Sequence, residues 1–374
     1  MRLLVVMPYG RMAASSRTRV FQYFPYLDRA GVRYDVLTAF PDSRIAAITL
    51  PLLRGSWRKF LYYGEGWIRT LIVAWRTLLR SRDYDVLLLQ RIIFPFPVPR
   101  LLKWTRARVV YDFDDAIFTT DTTQGSCINR IVRWRTGRRF PSMLRASAHV
   151  VVENEYTKSY AQRYCSRVST ITGPIDTDRN RPPEARGPSN GRVTLGWIGS
   201  PTTEKYLEGI RRPLEYVGRR FPHSRLVLIG ATAFEVEGMP TEHRRWDPDQ
   251  EVKDLQSFDI GLMPLPDDEW TRGKGGYKLL QYMAVGVPPV TSPVGINRVI
   301  VTDGVDGLQA SSEGEWTECL SRLIEDRELR VRLGAEGRQK MIRDYALSVS
   351  AGRLIEILKD ACPDRSASSA SSTG

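Results

Sequence analysis

The sequence predicts an α/β protein of two doubly wound, Rossmann-like domains, and three observations carry that reading. Short β-branched runs alternate with longer amphipathic stretches, the order that builds parallel sheets. The alternation restarts after Asn190. Between the two series lies a polar segment without periodicity, Thr172–Gly191, whose Pro174, Pro182, Pro183 and Pro188 give it the composition of an interdomain linker. A chain of 374 residues suits two domains at roughly 150 residues each.

The first series holds the runs LLVVM from Leu3, VLLLQ from Val86, RVVYD from Arg108, HVVVEN from His149 and VSTIT from Val168. The second holds VTLGWIG, RLVLIGA, FDIGLMPL and VPPVTSP, each followed by a helical pattern such as Glu204–Arg220 or Tyr277–Val285. The expected organisation is a domain over 1–172, a linker over 173–191 and a second domain over 192–345. A C-terminal helix over 346–362 follows, and the polar stretch 363–374 reads as a disordered tail because it has too few apolar residues to offset ordering.

Charge divides the chain along the same line. Residues 1–190 carry 31 Lys+Arg against 15 Asp+Glu, a balance of +16, and the remainder carries 24 against 27, a balance of −3. A basic first domain implies an anionic partner: a phosphorylated substrate, an anionic membrane surface or nucleic acid. Cys127, Cys165, Cys319 and Cys362 lie far apart, and three histidines are too few for a His-rich metal site, so the thiols read as reduced and no metal is expected. Met1–Gly10 reads as a first strand and not as a signal segment. Arg69 and the prolines after Ile93 break the longest apolar stretches, and the expected compartment is cytoplasmic.

The strongest local pattern runs from Ser257 to Ile300: a buried strand, an acidic and Gly-rich loop, a helix and a further strand. Ligands of open α/β sheets bind outside the carboxyl ends of strands. Gly273, Gly275 and Gly276 let backbone N–H groups approach an anion at the next helix, and Lys274 and Lys278 add positive charge. A surface turn with solvated lysines is the alternative. KLLQYMAVGVPPVTSPVGINRVI, then DGVDGL at Asp303–Leu308, with GWIGSPTTEKYL, RLVLIG and DIGLMPL upstream in order, resembles the donor-binding half of retaining family 4 glycosyltransferases of the GT-B fold (glycosyl transferases group 1).

That resemblance implies two Rossmann-like domains facing across a cleft, with a nucleotide-diphosphate sugar as donor substrate and no essential cofactor. It further implies retention of configuration, the donor phosphate helping to deprotonate the acceptor. The family's E-x7-E motif falls on Gly273 and Gln281, so neither glutamate is present. Gln281 retains hydrogen-bonding capacity toward a ribose, whereas Gly273 has no side chain to meet a sugar. A subgroup reading KLLQYMA after a Gly-Lys loop shares the departure. Where the family places a basic pair after the first strand of this domain, the chain offers Gly199, Ser200, Thr202, Thr203 and Lys205, and the usual arginine is missing. Arg272 or Lys274 is expected to complete the compensation of the diphosphate. The alternative makes Thr202 or Thr203 a helix cap and Lys205 a solvent-facing charge.

In the first domain, PYGRMAASSRTRVFQYFPYL follows strand one, where the family carries a Gly-rich turn facing the phosphates; here Gly10 stands alone. Tyr9, Ser16, Arg17, Arg19, Asp112 and Asn154 form the expected acceptor- or phosphate-binding set. Ser15 and Ser16 stand at a helix start, which also suits a plain capped helix. YDFDDAIF places Asp112, Asp114 and Asp115 at a strand end, a position suited to sugar hydroxyls or to a turn and cap. Asn154 is a good N-cap, and capping is its stronger reading. The residues expected at the chemistry are Asp114, Asp115, Lys205 and Lys274, without a metal.

Residues 54–82 interleave Trp57, Phe60, Tyr62, Tyr63, Trp67 and Trp75 with seven basic residues, and 129–145 add six arginines. A basic, Trp-bearing amphipathic helix is the mark of a membrane-surface element, and no nucleic-acid module accompanies it. The expected partners are therefore a nucleotide-sugar, a saccharide or lipid-linked acceptor, and an anionic membrane surface, with no nucleic acid. A catalytically silent GT-B binder and a nucleotide-sugar 2-epimerase are the competing readings. A nicotinamide oxidoreductase is disfavoured because no G-x-G-x-x-G follows the first strand.

Overall fold

The computed structural model describes residues 1–40, 56–119, 127–184 and 191–362, with the backbone alone over 56–63 and 127–136. It divides into two compact units, Met1–Thr172 with the chain from Ser350 onward, and Gly173–Val349. The tail 363–374, residues 185–190 of the expected linker and the start of the 54–82 segment lie outside the described residues.

The first unit runs β1 (Arg2–Tyr9), α1 (Ala14–Arg19), α2 (Phe24–Arg29), β2 (Arg33–Phe40), α3 (Ser56–Arg80), β3 (Val86–Gln90), α4 (Val98–Leu102), β4 (Arg108–Asp112), α5 (Cys127–Ala146), β5 (His149–Val152), α6 (Glu155–Ala161) and β6 (Val168–Thr170). Its six strands pair in the order β2-β1-β3-β4-β5-β6, every pair parallel. Because both faces are covered, β3 and the middle of β1 are buried at every residue, as a central parallel strand requires. One face packs Leu4, Val6, Leu87, Leu89, Val109 and Val150 against Val73 and Ala74 of α3, Val98 and Leu102 of α4, and Phe140 and Leu144 of α5.

The second unit runs β7 (Val193–Ile198), a 3-10 turn over Glu204–Ile210, α7 (Arg211–Arg220), β8 (Ser224–Ile229), β9 (Thr241–Arg244), α8 (Glu251–Gln256), β10 (Ile260–Met263), α9 (Glu269–Arg272), α10 (Tyr277–Ala284), β11 (Pro289–Thr291), α11 (Asn297–Ile300), β12 (Leu308–Gln309), α12 (Glu313–Glu325) and α13 (Arg327–Lys340); α14 (Leu347–Ala361) ends the described chain. The strand order β12-β11-β10-β7-β8-β9 is the Rossmann order, its direction of winding reversing between β7 and β10. The corresponding reversal in the first unit lies between β1 and β3.

Three strands escape the apolar-run reading. β2 carries Arg33 and Asp35 at a sheet edge, β9 reads Thr-Glu-His-Arg, and β12 is two residues long. The expected single helix over Glu204–Arg220 is divided, since Gly209 weakens helix continuity and Pro213 falls in the first turn of α7, where its missing N–H is harmless. The proline-rich segment is not a free tether over its first half. Ile175 is fully buried and bridges to Ala346, and Arg338 donates to the carbonyls of Thr177 and Asn180.

Candidate functional site

In the first unit the polar groups gather at the carboxyl ends of β1, β3, β4 and β5. Arg19, on α1, is buried and fully engaged: Nε and Nη2 both donate to the Asp112 carboxylate, and Nη1 donates to the Ile171 carbonyl at 2.6 Å and faces Glu153 Oε1 at 3.4 Å. One guanidinium thus ties α1 to the ends of β4, β5 and β6. Arg19 and Asp112, both in the expected acceptor- or phosphate-binding set, are thus paired with each other inside the fold. Ser16 is likewise committed, its hydroxyl donating to the Tyr9 carbonyl at 2.9 Å from a buried position. Asn154 caps α6 in a reciprocal box with Thr157, the geometry of its capping reading. Arg17 stays partly exposed on α1.

Beside this buried network stands a second one. Arg91 follows β3 with φ of 54° and Asp115 has φ of 48°, the two non-glycine residues in the left-handed region among the described residues. Such a backbone costs about 1–3 kcal/mol per residue and persists only where the surroundings fix it. Arg91 Nη1 donates to Asp114 Oδ1 at 2.9 Å and lies 3.7 Å from Asp115 Oδ2, and its N–H donates to the Asp112 carbonyl at 2.7 Å. Asp114 and Asp115 are thereby aimed by one arginine. Glu153 lies behind them, and burial pushes its carboxyl up to about 8; Arg19 opposes the rise while Asp114, Asp115 and Asp112 add to it. Gln90 is fully buried, donates to Ser15 Oγ at 2.8 Å, and leaves its Oε1 without a hydrogen bond among the described residues. Arg91, Gln90 and Glu153 were not singled out from the sequence. The available signal was a polar residue at or immediately after a β-branched run at a strand's carboxyl end.

In the second unit the candidate residues surround the carboxyl end of β7. Gly199 closes that strand with its N–H on the Ile229 carbonyl at 3.0 Å. A Cβ there would stand 2.5 Å from the Trp197 ring and 2.6 Å from Lys278 Nζ, so only glycine leaves room for the lysine. Lys278 reaches back from the first turn of α10 and holds its ammonium 4.0 Å above the Trp197 ring centre. It makes no hydrogen bond or ion pair among the described residues. Burial, with neighbouring Lys274 adding to it, holds its pKa well below the ordinary lysine value.

Lys274 lies over Trp270 and Tyr206 at 5.4 and 5.8 Å, and Lys205 lies over the same Tyr206 at 5.3 Å. Three of the sequence-predicted lysines therefore gather around aromatic faces, a geometry that concentrates positive charge at one strand end. Arg272 pairs with Asp267, with contacts of 2.6 and 3.1 Å.

The loops here are fixed from below. Glu204 accepts from Thr232 N and Oγ1 and from Ala233 N; burial works to raise its pKa, but these hydrogen bonds prevail and hold it below the usual range. Ser200 and Thr202 hydroxyls share a hydrogen bond of 2.8 Å, while Thr203 donates to the Ser200 carbonyl. A capping box of Asp268 and Thr271 forms α9, and Gly273 ends it. Gly276 then takes φ of +67°, and a Cβ on it would approach Ile300 Cδ1 to 2.6 Å. Gly275 and Gln281 are buried, and Tyr282 accepts from Ile198 N and donates to the Leu262 carbonyl, pinning α10 across the reversal between β7 and β10.

Comparison with known proteins accords with this architecture. Residues 261–340 match the family model "Glycosyl transferases group 1", and residues 17–179 match "Glycosyltransferase Family 4". No curated protein matches the chain in sequence. Among solved structures, HepE of Anabaena in complex with UDP and glucose is similar at 12% identity and a TM-score of 0.64, covering 96% of this chain and 99% of its own. Sucrose-phosphate synthase of Thermosynechococcus elongatus is similar at 13% identity and 0.68, over 96% and 99%. A glycosyltransferase of Rickettsia africae is similar at 13% identity and 0.66, over 96% and 98%. With two glycosyltransferase models matched in chain order and the fold shared along nearly all of the chain, this protein belongs to the GT-B glycosyltransferases, family 4.

Proposed function

We propose that the enzyme moves a sugar from a nucleoside-diphosphate sugar, with retention of configuration, to a saccharide or lipid-linked saccharide in cell-surface polysaccharide or glycoconjugate synthesis. The donor binds the second unit and the acceptor the first. The observation that carries this reading is Lys278, a partly buried lysine with no anionic partner among the described residues, at the carboxyl end of β7 beside Lys274. A diphosphate supplies the missing negative charge, and in the transition state these lysines stabilise the charge growing on the leaving group. Gly199, Ser200, Thr202, Lys205, Gly273, Gly275, Gly276 and Gln281 form the rest of the donor site. Asp114 and Asp115, held by Arg91, take acceptor hydroxyls, and Tyr9 and Arg17 complete the proposed acceptor side. A strained, arginine-locked carboxylate pair is suited to positioning and needs no histidine base. We place the enzyme at the cytoplasmic face of a membrane, with anionic lipid as the surface partner of the basic unit.

The test is incubation of the full chain with UDP-, GDP-, ADP- and TDP-sugars and a panel of saccharide and lipid-linked acceptors. Product is read by mass and the anomeric configuration by proton coupling. Transfer with retention supports the proposal. An inverted product overturns the retaining step. Donor binding without turnover on any acceptor supports the silent-binder reading, which the absence of both motif glutamates at 273 and 281 would then explain.

A further inference from the structure

The solvent side of α3 is apolar. At 100° per residue, Trp67, Ile68, Ile72, Trp75 and Leu79 fall within an arc of about 140°, and all five are exposed, Leu79 at 73%. Val73, Ala74 and Thr77 occupy the opposite arc and are buried in the sheet core, so the outward apolar stripe is additional to the face that folds the domain. An ordinary surface helix shows the reverse pattern, polar outward. Beyond α4, which packs between α3 and α5, two aromatic side chains also stand free of the core: Phe96 at 65% and Trp104 at 88% exposure.

Basic residues border this surface. Arg76, Arg100, Lys103, Arg106 and Arg138 are exposed around it, and Arg100 lies 5.1 Å over the Phe96 ring. Between α4 and α5 a cavity of about 260 Å³ is lined by Phe94, Phe96, Pro99, Arg100, Arg138 and Arg139. Its lining combines aromatic rings with guanidinium groups. An exposed apolar surface bordered mainly by basic residues, with Glu65 and Asp83 the acidic ones on or just after α3, marks an interaction surface. The +16 balance of residues 1–190 makes an anionic partner the complementary one. No described helix is long and apolar enough to cross a membrane, so contact at the level of the headgroups is the geometry these residues offer.

Resting on the reading that the enzyme works at an anionic membrane, we infer that the outward face of α3 and α4 is its docking surface for an anionic lipid bilayer. Trp67, Trp75, Leu79, Phe96 and Trp104 enter the interface, and the cavity between α4 and α5 receives a lipid phosphate. The apolar side chains supply insertion and the arginines supply preference for anionic headgroups.

The experiment is cosedimentation of the full chain with phosphatidylcholine vesicles, with and without phosphatidylglycerol. Two double variants accompany it, Leu79→Ser/Trp104→Ser and Arg100→Gln/Arg138→Gln, all at exposed positions. Wild type is expected to pellet with the anionic vesicles. The first variant loses about tenfold or more in partitioning, and the second loses about 30-fold on the anionic vesicles alone, at about 1 kcal/mol per basic residue. Absence of vesicle binding, equal binding to both vesicles, or a wild-type dimer that the first variant dissolves would each overturn the assignment. Nucleotide binding is measured on the same samples. Its loss from wild type would count against the proposed transferase site and leave the docking result standing.

Discussion

Replacing Lys278 with methionine is expected to move binding and stability in opposite directions. The lysine holds its amino group over the Trp197 ring, 4.0 Å from its centre, with no carboxylate partner among the described residues, and burial disfavours its charged form. Methionine keeps most of the aliphatic stem and removes the charge, so the unliganded protein gains stability, and each kcal/mol relieved raises the melting temperature by about 2–4 °C in a unit the size of Gly173–Val349. A hydrogen bond to a charged group contributes roughly 1.5–3 kcal/mol. The affinity for a nucleoside diphosphate should accordingly fall by about 10- to 150-fold. Calorimetric titration with UDP or GDP, beside differential scanning of the unliganded protein, reads both quantities.

The same group makes binding pH-dependent. A diphosphate raises the depressed Lys278 pKa toward its ordinary value, so within the window between the two a proton is taken up on binding and affinity falls as pH rises. A Lys278→Met variant with unchanged affinity, or one that melts lower than wild type, would refute the reasoning.

Three further outcomes are expected. Gly276→Ala places a Cβ at φ of +67° and 2.6 Å from Ile300 Cδ1, so it should cost about 1–3 kcal/mol and lower the melting temperature while weakening nucleotide binding; a neutral effect on both would show that the loop relaxes. Arg19→Met leaves the buried Asp112 and Glu153 carboxyls unpaired and should destabilise by roughly 3–5 kcal/mol in urea unfolding; a change near zero would mean that the network contributes nothing net. Glu153 has a folded pKa of about 8, above its unfolded value, so it stabilises fully below the unfolded pKa and loses that contribution as pH rises through about 8. Melting temperatures of wild type and Glu153→Gln, followed from pH 6 to 9 in about half-unit steps, should show wild type losing stability relative to the variant; parallel curves would place the proton elsewhere.

The buried strands were legible because a central parallel strand must be apolar on both faces, which gives LLVVM, VLLLQ and VTLGWI no other simple fate. Edge strands β2 and β9 were not, since only half of each meets the core and their charged residues mimic loop. At the proposed donor end, the Gly-rich loop pointed to Gly276, Lys274 and Lys278, because a glycine required by a positive φ leaves a trace in sequence, whereas Gly199 came with the family resemblance. What spacing could not reveal was partnership. Arg19 and Arg17 look alike in the sequence, and only the fold brings Asp112 and Glu153 to Arg19, 93 and 134 residues away. Arg91 and Glu153 escaped for the same reason, being single polar residues whose meaning depends on what the neighbouring strand end carries. The outward stripe of α3 was visible as an aromatic and basic segment, but which of its faces the core would take was not.

The most direct test of the central claim is thermal shift of the full chain with UDP-, GDP-, ADP- and TDP-sugars, since a ligand at 100 times its dissociation constant stabilises the fold by about 2.7 kcal/mol. The account predicts a clear upward shift with one nucleotide class and a much smaller one in Lys278→Met. Silence across the panel from a demonstrably folded protein, or a shift that Lys278→Met retains in full, would contradict it.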